Sequence, residues 1–243
     1  MAEYEASILF QNISFQQGEN LILDNISGSI HRGKITALVG PSGAGKSTLL
    51  KLCNGLKSPT KGDIFIDNQS ITNIEPTSLR RQVGMVLQNA PIIRGSVYDN
   101  LALPLKLQKM SLSKEDAISM LNTVGLDGGL LNRDASNLSG GQKQKLSIAR
   151  TLVNRSKILL LDEITSALDP VSKHEIEQLI IKIHKKYEVT IAWITHNIQQ
   201  AIELGDFIWV MMNGKLEEHG DKTLLSCTKN TKVQRFIEGE IRV

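Results

Sequence analysis

The feature that most restricts this chain is Gly40-Pro41-Ser42-Gly43-Ala44-Gly45-Lys46-Ser47, set between an apolar run, ITALV at 35–39, and a helical pattern, TLLKLCNGL, that begins at Thr48. Glycines at these positions let consecutive backbone N–H groups turn inward around phosphate oxygens, and the helix that follows presents its positive end to the same point. The spacing is that of a phosphate-binding P-loop in its strand, loop, helix setting. There Lys46 reaches the outer phosphates of ATP, the Ser47 hydroxyl coordinates Mg2+, and Gly40 to Thr48 form the nucleotide cradle. A structural turn rich in Gly and Ser needs neither the lysine nor the flanking strand and helix.

A nucleotide also needs its metal held from a second strand. ILLLDE, Ile158 to Glu163, supplies a buried apolar strand ending in two carboxylates. Asp162 is placed to hold Mg2+ through a bound water, and Glu163, one step further on, to polarise the attacking water.

The order of elements follows from short apolar runs punctuated by glycine. They fall at 8–10, 21–26, 35–39, 62–66, 83–87, 157–161, 189–194 and 206–211, with helical patterns between several of them. That alternation predicts an α/β protein whose longer apolar runs are buried strands and whose first two runs form an antiparallel edge sheet. One helix is well marked: Asp169 caps it, Pro170 takes the first position, and Ile176, Leu179, Ile180 and Ile183 make its apolar face. From 89 to 137 there is no long strand. Helical segments are expected near Val97–Leu107 and Lys114–Val124, the second with Ser113 and Asp116 as a capping box, followed by a glycine-bearing linker from Gly125 to Asn137. The division expected is one domain over 1–243, with an α/β core from 1–88 plus 138–243 and an inserted helical subdomain at 89–137.

Composition removes several alternatives. The formal charge is only +3, and aromatic residues make up 4% of the chain, so neither a basic footprint nor a stacking platform for bases is indicated. Lys182, Lys185 and Lys186 form a small patch that reads as a solvated helix end. Two cysteines, Cys53 and Cys227, fit a reducing compartment without a disulfide scaffold or zinc site. The polar start, Met1 to Glu5, lacks the basic and apolar regions of a leader, and no apolar stretch approaches about 18 residues. A membrane role would need another protein to supply the spanning part.

Leu138-Ser139-Gly140-Gly141-Gln142, followed by KQKLSIARTL, resembles the signature of the ATP-binding cassette family. In that following segment Leu146, Ala149 and Leu152 offer a buried face, while Ser139, Gly140 and Gly141 present donors at a helix N-terminus. The resemblance extends over the whole chain and implies a P-loop NTPase core with an N-terminal antiparallel β-subdomain and an inserted helical subdomain. It implies that Gln88 contacts Mg2+ or the lytic water, that Ser166 to Asp169 let two protomers sense each other, and that His196 touches the terminal phosphate. It further implies a head-to-tail pair, homodimeric or equivalent, with ATP on Lys46 of one copy closed over by Ser139 to Gln142 of the other. The pair would hydrolyse ATP to drive transport through an integral membrane permease, on the cytoplasmic face of the cell membrane and without nucleic acid. Coupling would pass near Gln88 to Asn100, where Pro91, Ile92, Ile93 and Tyr98 are apolar. For each of these, packing in the core is the equal alternative.

The segment NAPIIRGSVYDNLALPLKL is similar to phosphate-importer ATPases, to a bacterial group linked to iron efflux and to a plant group linked to metal tolerance. Two positions depart from the family. Gln17 stands where an aromatic residue usually stacks on adenine, with Phe15 displaced by about 6 to 7 Å along a strand. Lys145 replaces a usual arginine, whereas Arg150 is kept, so charge survives at 145 but the guanidinium fork does not. A soluble cassette ATPase acting on nucleic acid or ribosomes is the alternative. A second cassette, a long coiled coil or a cysteine cluster would favour it, and the chain shows none of these.

Overall fold

The computed structural model describes Tyr4 to Glu240. The first part of the polar start, Met1 to Glu3, lies outside the described residues. In chain order the strands and helices are β1 (Ala6–Gln17), β2 (Asn20–His31), β3 (Ile35–Val39), α1 (Lys46–Cys53), β4 (Lys61–Ile66), β5 (Gln69–Ser70), α2 (Pro76–Gln82), β6 (Val83–Val86), α3 (Val97–Lys106) and α4 (Lys114–Thr123). There follow α5 (Gly140–Leu152), β7 (Ile158–Asp162), α6 (Pro170–Tyr187), β8 (Thr190–Ile194), α7 (Ile198–Leu204), β9 (Phe207–Met212), β10 (Lys215–Asp221), α8 (Leu224–Cys227) and α9 (Thr231–Ile237).

Two sheets result. The order β10-β9-β3-β8-β7-β6 makes the main sheet, parallel except for the edge strand β10, and β2-β1-β4-β5 makes a smaller antiparallel one. The expected edge sheet is therefore present, and the run at 62–66 joins it as β4. β2 extends beyond the apolar run at 21–26 to His31, and at Gly28 it passes close to the Trp209 ring, which a Cβ there would meet at 2.9 Å.

Side chains of the main sheet alternate between two cores, as period-2 geometry requires. Leu159, Leu161, Ile191 and Trp193 face α5 and α6, while Leu160, Ala192, Ile194 and Leu38 face α1 and the antiparallel sheet. α1 is thereby held between two sheets, with Leu49, Leu50 and Leu52 wholly buried. α6 begins as expected, with the Asp169 carboxylate accepting from the N–H groups of Val171 and Ser172. Its residues Ile176, Leu179, Ile180 and Ile183 are buried, each contributing about 1.5–3 kcal/mol of apolar transfer.

Between β6 and α5 lie α3 and α4, two short 3-10 turns inside the 125–137 stretch and an isolated bridge between Ser96 and Asp134. The capping boxes differ from expectation. At Ser113 the hydroxyl accepts from the Asp116 N–H at 3.0 Å and donates to the Asp116 carboxylate at 2.8 Å, and that carboxylate makes no return bond to the Ser113 N–H. Complete boxes lie at Ser96 and Asp99 and at Ser139 and Gln142, where each side chain takes the other residue's backbone N–H. Ser96 hides inside a Gly-Ser pair, which reads more readily as a turn than as a helix start. Among the described residues no helix is long and apolar enough to cross a membrane.

Candidate functional site

The site forms where β3, β7 and β8 end. Beyond Val39 the loop turns through Gly40, Gly43 and Gly45 at φ 144°, 79° and 93°, values that favour glycine over any residue with a Cβ. A Cβ on Gly40 would lie 1.9 Å from the Met211 carbonyl oxygen. Gly40→Ala is therefore expected to cost about 2 kcal/mol or more, because backbone blocks the new methyl and the conformation is strained as well. Urea unfolding measures this, and an unchanged midpoint would show that the β9 backbone yields.

Gly45 precedes α1 with no side-chain cap, so the first N–H groups of the helix are left for an anion. Beside them is a cavity of about 330 Å3 lined by Ile22, Ser42 to Thr48 and Glu163. Lys46, only 4% exposed, folds its ammonium back onto the carbonyls of Gly40 at 2.6 Å and Pro41 at 2.9 Å. Burial lowers its pKa, and the charges of Glu163 and Asp162 pull in the opposite direction.

From the end of β7, Asp162 accepts a hydrogen bond from Ser47 Oγ at 2.6 Å. Burial raises its carboxyl pKa, and the Ser47 bond and Lys51 partly offset this. Ser47 and Asp162 form a hard-oxygen pair that fits Mg2+, which takes its remaining ligands from phosphates and water. Among the described residues no cluster of three or more His, Cys, Asp or Glu offers a separate metal cage.

Glu163 follows in a left-handed conformation, φ 51°, which turns its side chain out of the strand direction into the cavity. His196, after β8, places Nε2 2.6 Å from Glu163 Oε1, while its Nδ1 is buried without a partner. Gln88 reaches the same place from below β6: its Nε2 donates to Ser166 Oγ at 3.0 Å, and Ser166 Oγ donates to the Glu163 carbonyl at 2.9 Å. The structure thus places Lys46, Ser47, Asp162, Glu163, His196 and Gln88 near one another.

Ser139 to Gln142 are not part of this cluster, and none of them lines the cavity. They form the start of α5, where the Ser139 hydroxyl accepts from the Gln142 N–H at 3.3 Å and the Gln142 side chain accepts from the Ser139 N–H at 3.0 Å. Ser139 and Gly140 are exposed and Gly141 is buried against Ser172.

Other expected positions have local partners. The Lys57 ammonium lies 4.8 Å from the centre of the Phe15 ring and donates to Gln17 Oε1 at 3.0 Å. Lys145 makes a single contact, 2.8 Å to Glu175. Ile92 and Tyr98 pack against the helical core, with the Tyr98 hydroxyl donating to the Leu112 carbonyl at 2.6 Å, whereas Pro91 is exposed.

One residue that carries no motif also shapes the site. Gln200, 4% exposed, is bonded through Oε1 to the Thr195 hydroxyl and through Nε2 to Glu177 at 2.6 Å, which pins the turn bearing His196. A buried glutamine on a short helix gives no sequence signal, since its partners lie on α6 and in the loop after β8.

The arrangement can bind a polyphosphate, hold a divalent cation beside it and present a carboxylate to water. A family model described as ABC transporter matches residues 23–166. The putative ABC transporter ATP-binding protein YjkB of Bacillus subtilis is 43% identical over 222 residues, 91% of this chain and 88% of that protein. The structure of CbiO1 from Clostridium perfringens, described as part of the ABC transporter complex CbiONQ, superposes with a TM-score of 0.82 at 28% identity, over 99% of this chain and 96% of that one. The ATP-binding cassette MJ0796, solved as a dimer in a post-hydrolysis state with ADP and Pi, gives 0.78 at 30% identity over 88% and 98%. With its phosphate loop, its second-strand carboxylates and these likenesses, the chain belongs to the ABC transporter family, as one of its ATP-binding subunits.

Proposed function

We propose that this chain hydrolyses ATP to power solute transport through a separate membrane-spanning permease, acting on the cytoplasmic face of the membrane. The observation that carries this reading is that one chain bears two phosphate-type sites that do not meet. One is the Lys46 cavity, and the other is the exposed start of α5 at Ser139 and Gly140. A second copy turned head to tail brings its α5 over the first copy's cavity, so each nucleotide is held by both chains. The dimeric MJ0796 structure is an example of cassette pairing in the family.

Within that pair Gly40 to Thr48 cradle the phosphates, Lys46 balances their charge, and Ser47, Asp162 and Gln88 are the residues that would hold Mg2+. When bound, the ion neutralises the phosphate oxygens. Glu163 takes the proton of the attacking water, and His196 holds that carboxylate in place beside the terminal phosphate. We also assign 89–137 as a helical subdomain. α3 and α4 both pack on α5, which in turn packs on β6, so a push on the helical part reaches the Ser139 end directly.

The test is to express Glu163→Gln, solubilise membranes gently with ATP present, and identify what co-purifies. One multi-spanning protein enriched over a Lys46→Ala control is expected. Recovery with ribosomes or nucleic acid, and no membrane protein, would establish the soluble-ATPase alternative instead.

A further inference from the structure

Three side chains fasten the segment after β6 to its surroundings. Gln144 of α5 donates to the Leu87 carbonyl at 3.3 Å, and Arg150, also on α5, donates through Nη2 to the Pro91 carbonyl at 2.8 Å. Asn100, wholly buried at the start of α3, clasps Ile93: it accepts from the Ile93 N–H and donates to the Ile93 and Ser96 carbonyls, each at 3.0 Å. Arg150 Nη1 also points to Asn100 Oδ1 at 3.4 Å. Gln88, Asn89 and Ala90 therefore form a short arch with both feet tied to one helix.

Arg150 is unusual in its setting. Desolvation lowers its pKa and is the one cause at work, with no carboxylate among the described residues offsetting it. A half-buried guanidinium is partly desolvated, and no anionic partner among the described residues compensates it. Its donors go to a backbone carbonyl and an amide oxygen, which is the way to fix a loop rather than to neutralise a charge.

From the arch the bonds continue. Gln88 meets Ser166 Oγ at 3.0 Å, Ser166 bonds the Glu163 carbonyl at 2.9 Å, and the Glu163 carboxylate meets His196. We propose that Arg150 is a positioning residue for ATP hydrolysis, holding the 87–91 arch so that Gln88 locks the Ser166 turn and, through it, the backbone that aims Glu163. This rests on the roles given above to Gln88 and Glu163.

The test uses the full chain and the variants Arg150→Lys, which keeps the charge but not the fork, Gln88→Ala and the pair together. Arg150→Lys is expected to lower kcat about 10-fold with KM for ATP within about 2-fold, and in the Gln88→Ala background to cost less than about 2-fold, since both act on one contact. Effects that multiply would overturn the proposal, as would a change confined to KM. Amide hydrogen exchange on the chain without nucleotide gives a second measurement that needs no turnover. Exchange at both Ile93 and Ser166 should accelerate in Arg150→Lys, with α1 unchanged. Acceleration that stops at Ile93, or that spreads over the whole chain, would show a merely structural role. If Glu163→Gln left turnover intact, the reading of the site would fail. The exchange pattern would still decide whether Arg150 holds the arch.

Discussion

Glu163→Gln is expected to slow ATP turnover by about 100-fold or more while leaving nucleotide affinity nearly unchanged, the scale on which a general base contributes. Glutamine has the same length and keeps the oxygen that accepts from His196 Nε2, now 2.6 Å away. It also inherits the same left-handed backbone, so the turn is not relieved of strain. What disappears is the anionic oxygen able to take a proton from water. Phosphate release measures the first effect, and light scattering with ATP present should show pairs that persist. Turnover within about threefold of wild type would move the base to another group.

Lys46→Ala should act earlier, on binding. A charge-assisted bond of this kind contributes about 1.5–3 kcal/mol, so affinity for ATP is expected to fall by about 10- to 100-fold in calorimetric titration. The carbonyls of Gly40 and Pro41 also lose their donor, so some loss of folded-state stability accompanies it. In the wild type, burial already disfavours the charged amine, and phosphate binding requires it. The affinity should therefore begin to decline with rising pH below the ordinary lysine range, and this part of the decline should vanish in Lys46→Ala. A slope that persisted in the variant would assign it to the nucleotide or to another residue.

The parts of the site legible in the sequence were those in which neighbours along the chain do the chemistry. Gly40 to Ser47 is a local loop, Asp162 and Glu163 end one strand, and Ser139 caps the helix it precedes. The apolar periods of β3, β7, β8 and α6 likewise depend only on which face of each element is buried. What the sequence left hidden depends on partners far along the chain. Arg150 meets Pro91 across 59 positions and Gln88 meets Ser166 across 78, and no local pattern encodes either. Glu163 at φ 51° was equally hidden, since glutamate carries no preference for that region. At Ser113 the spacing of a capping box was right but its geometry was not. The Asp116 carboxylate met the hydroxyl without returning to the backbone, whereas the equally short Asp99 does both at Ser96, so spacing alone did not decide the geometry.

The neighbours of β3 bear on how this protein is made. The strand that leads into the phosphate loop pairs on one side with β8 and on the other with β9, Ile35 opposite Ile191 and Val39 opposite Val210. A chain leaving the ribosome therefore exposes an apolar strand that finds neither neighbour until most of the polypeptide has been synthesised. Contacts of such long sequence separation form slowly, because loop closure precedes any gain from pairing. Competence to hold nucleotide should then arrive late and all at once. During the interval, Ile35 to Val39 form an apolar segment in need of protection from aggregation, and nascent chains arrested before β9 should fail to retain ATP.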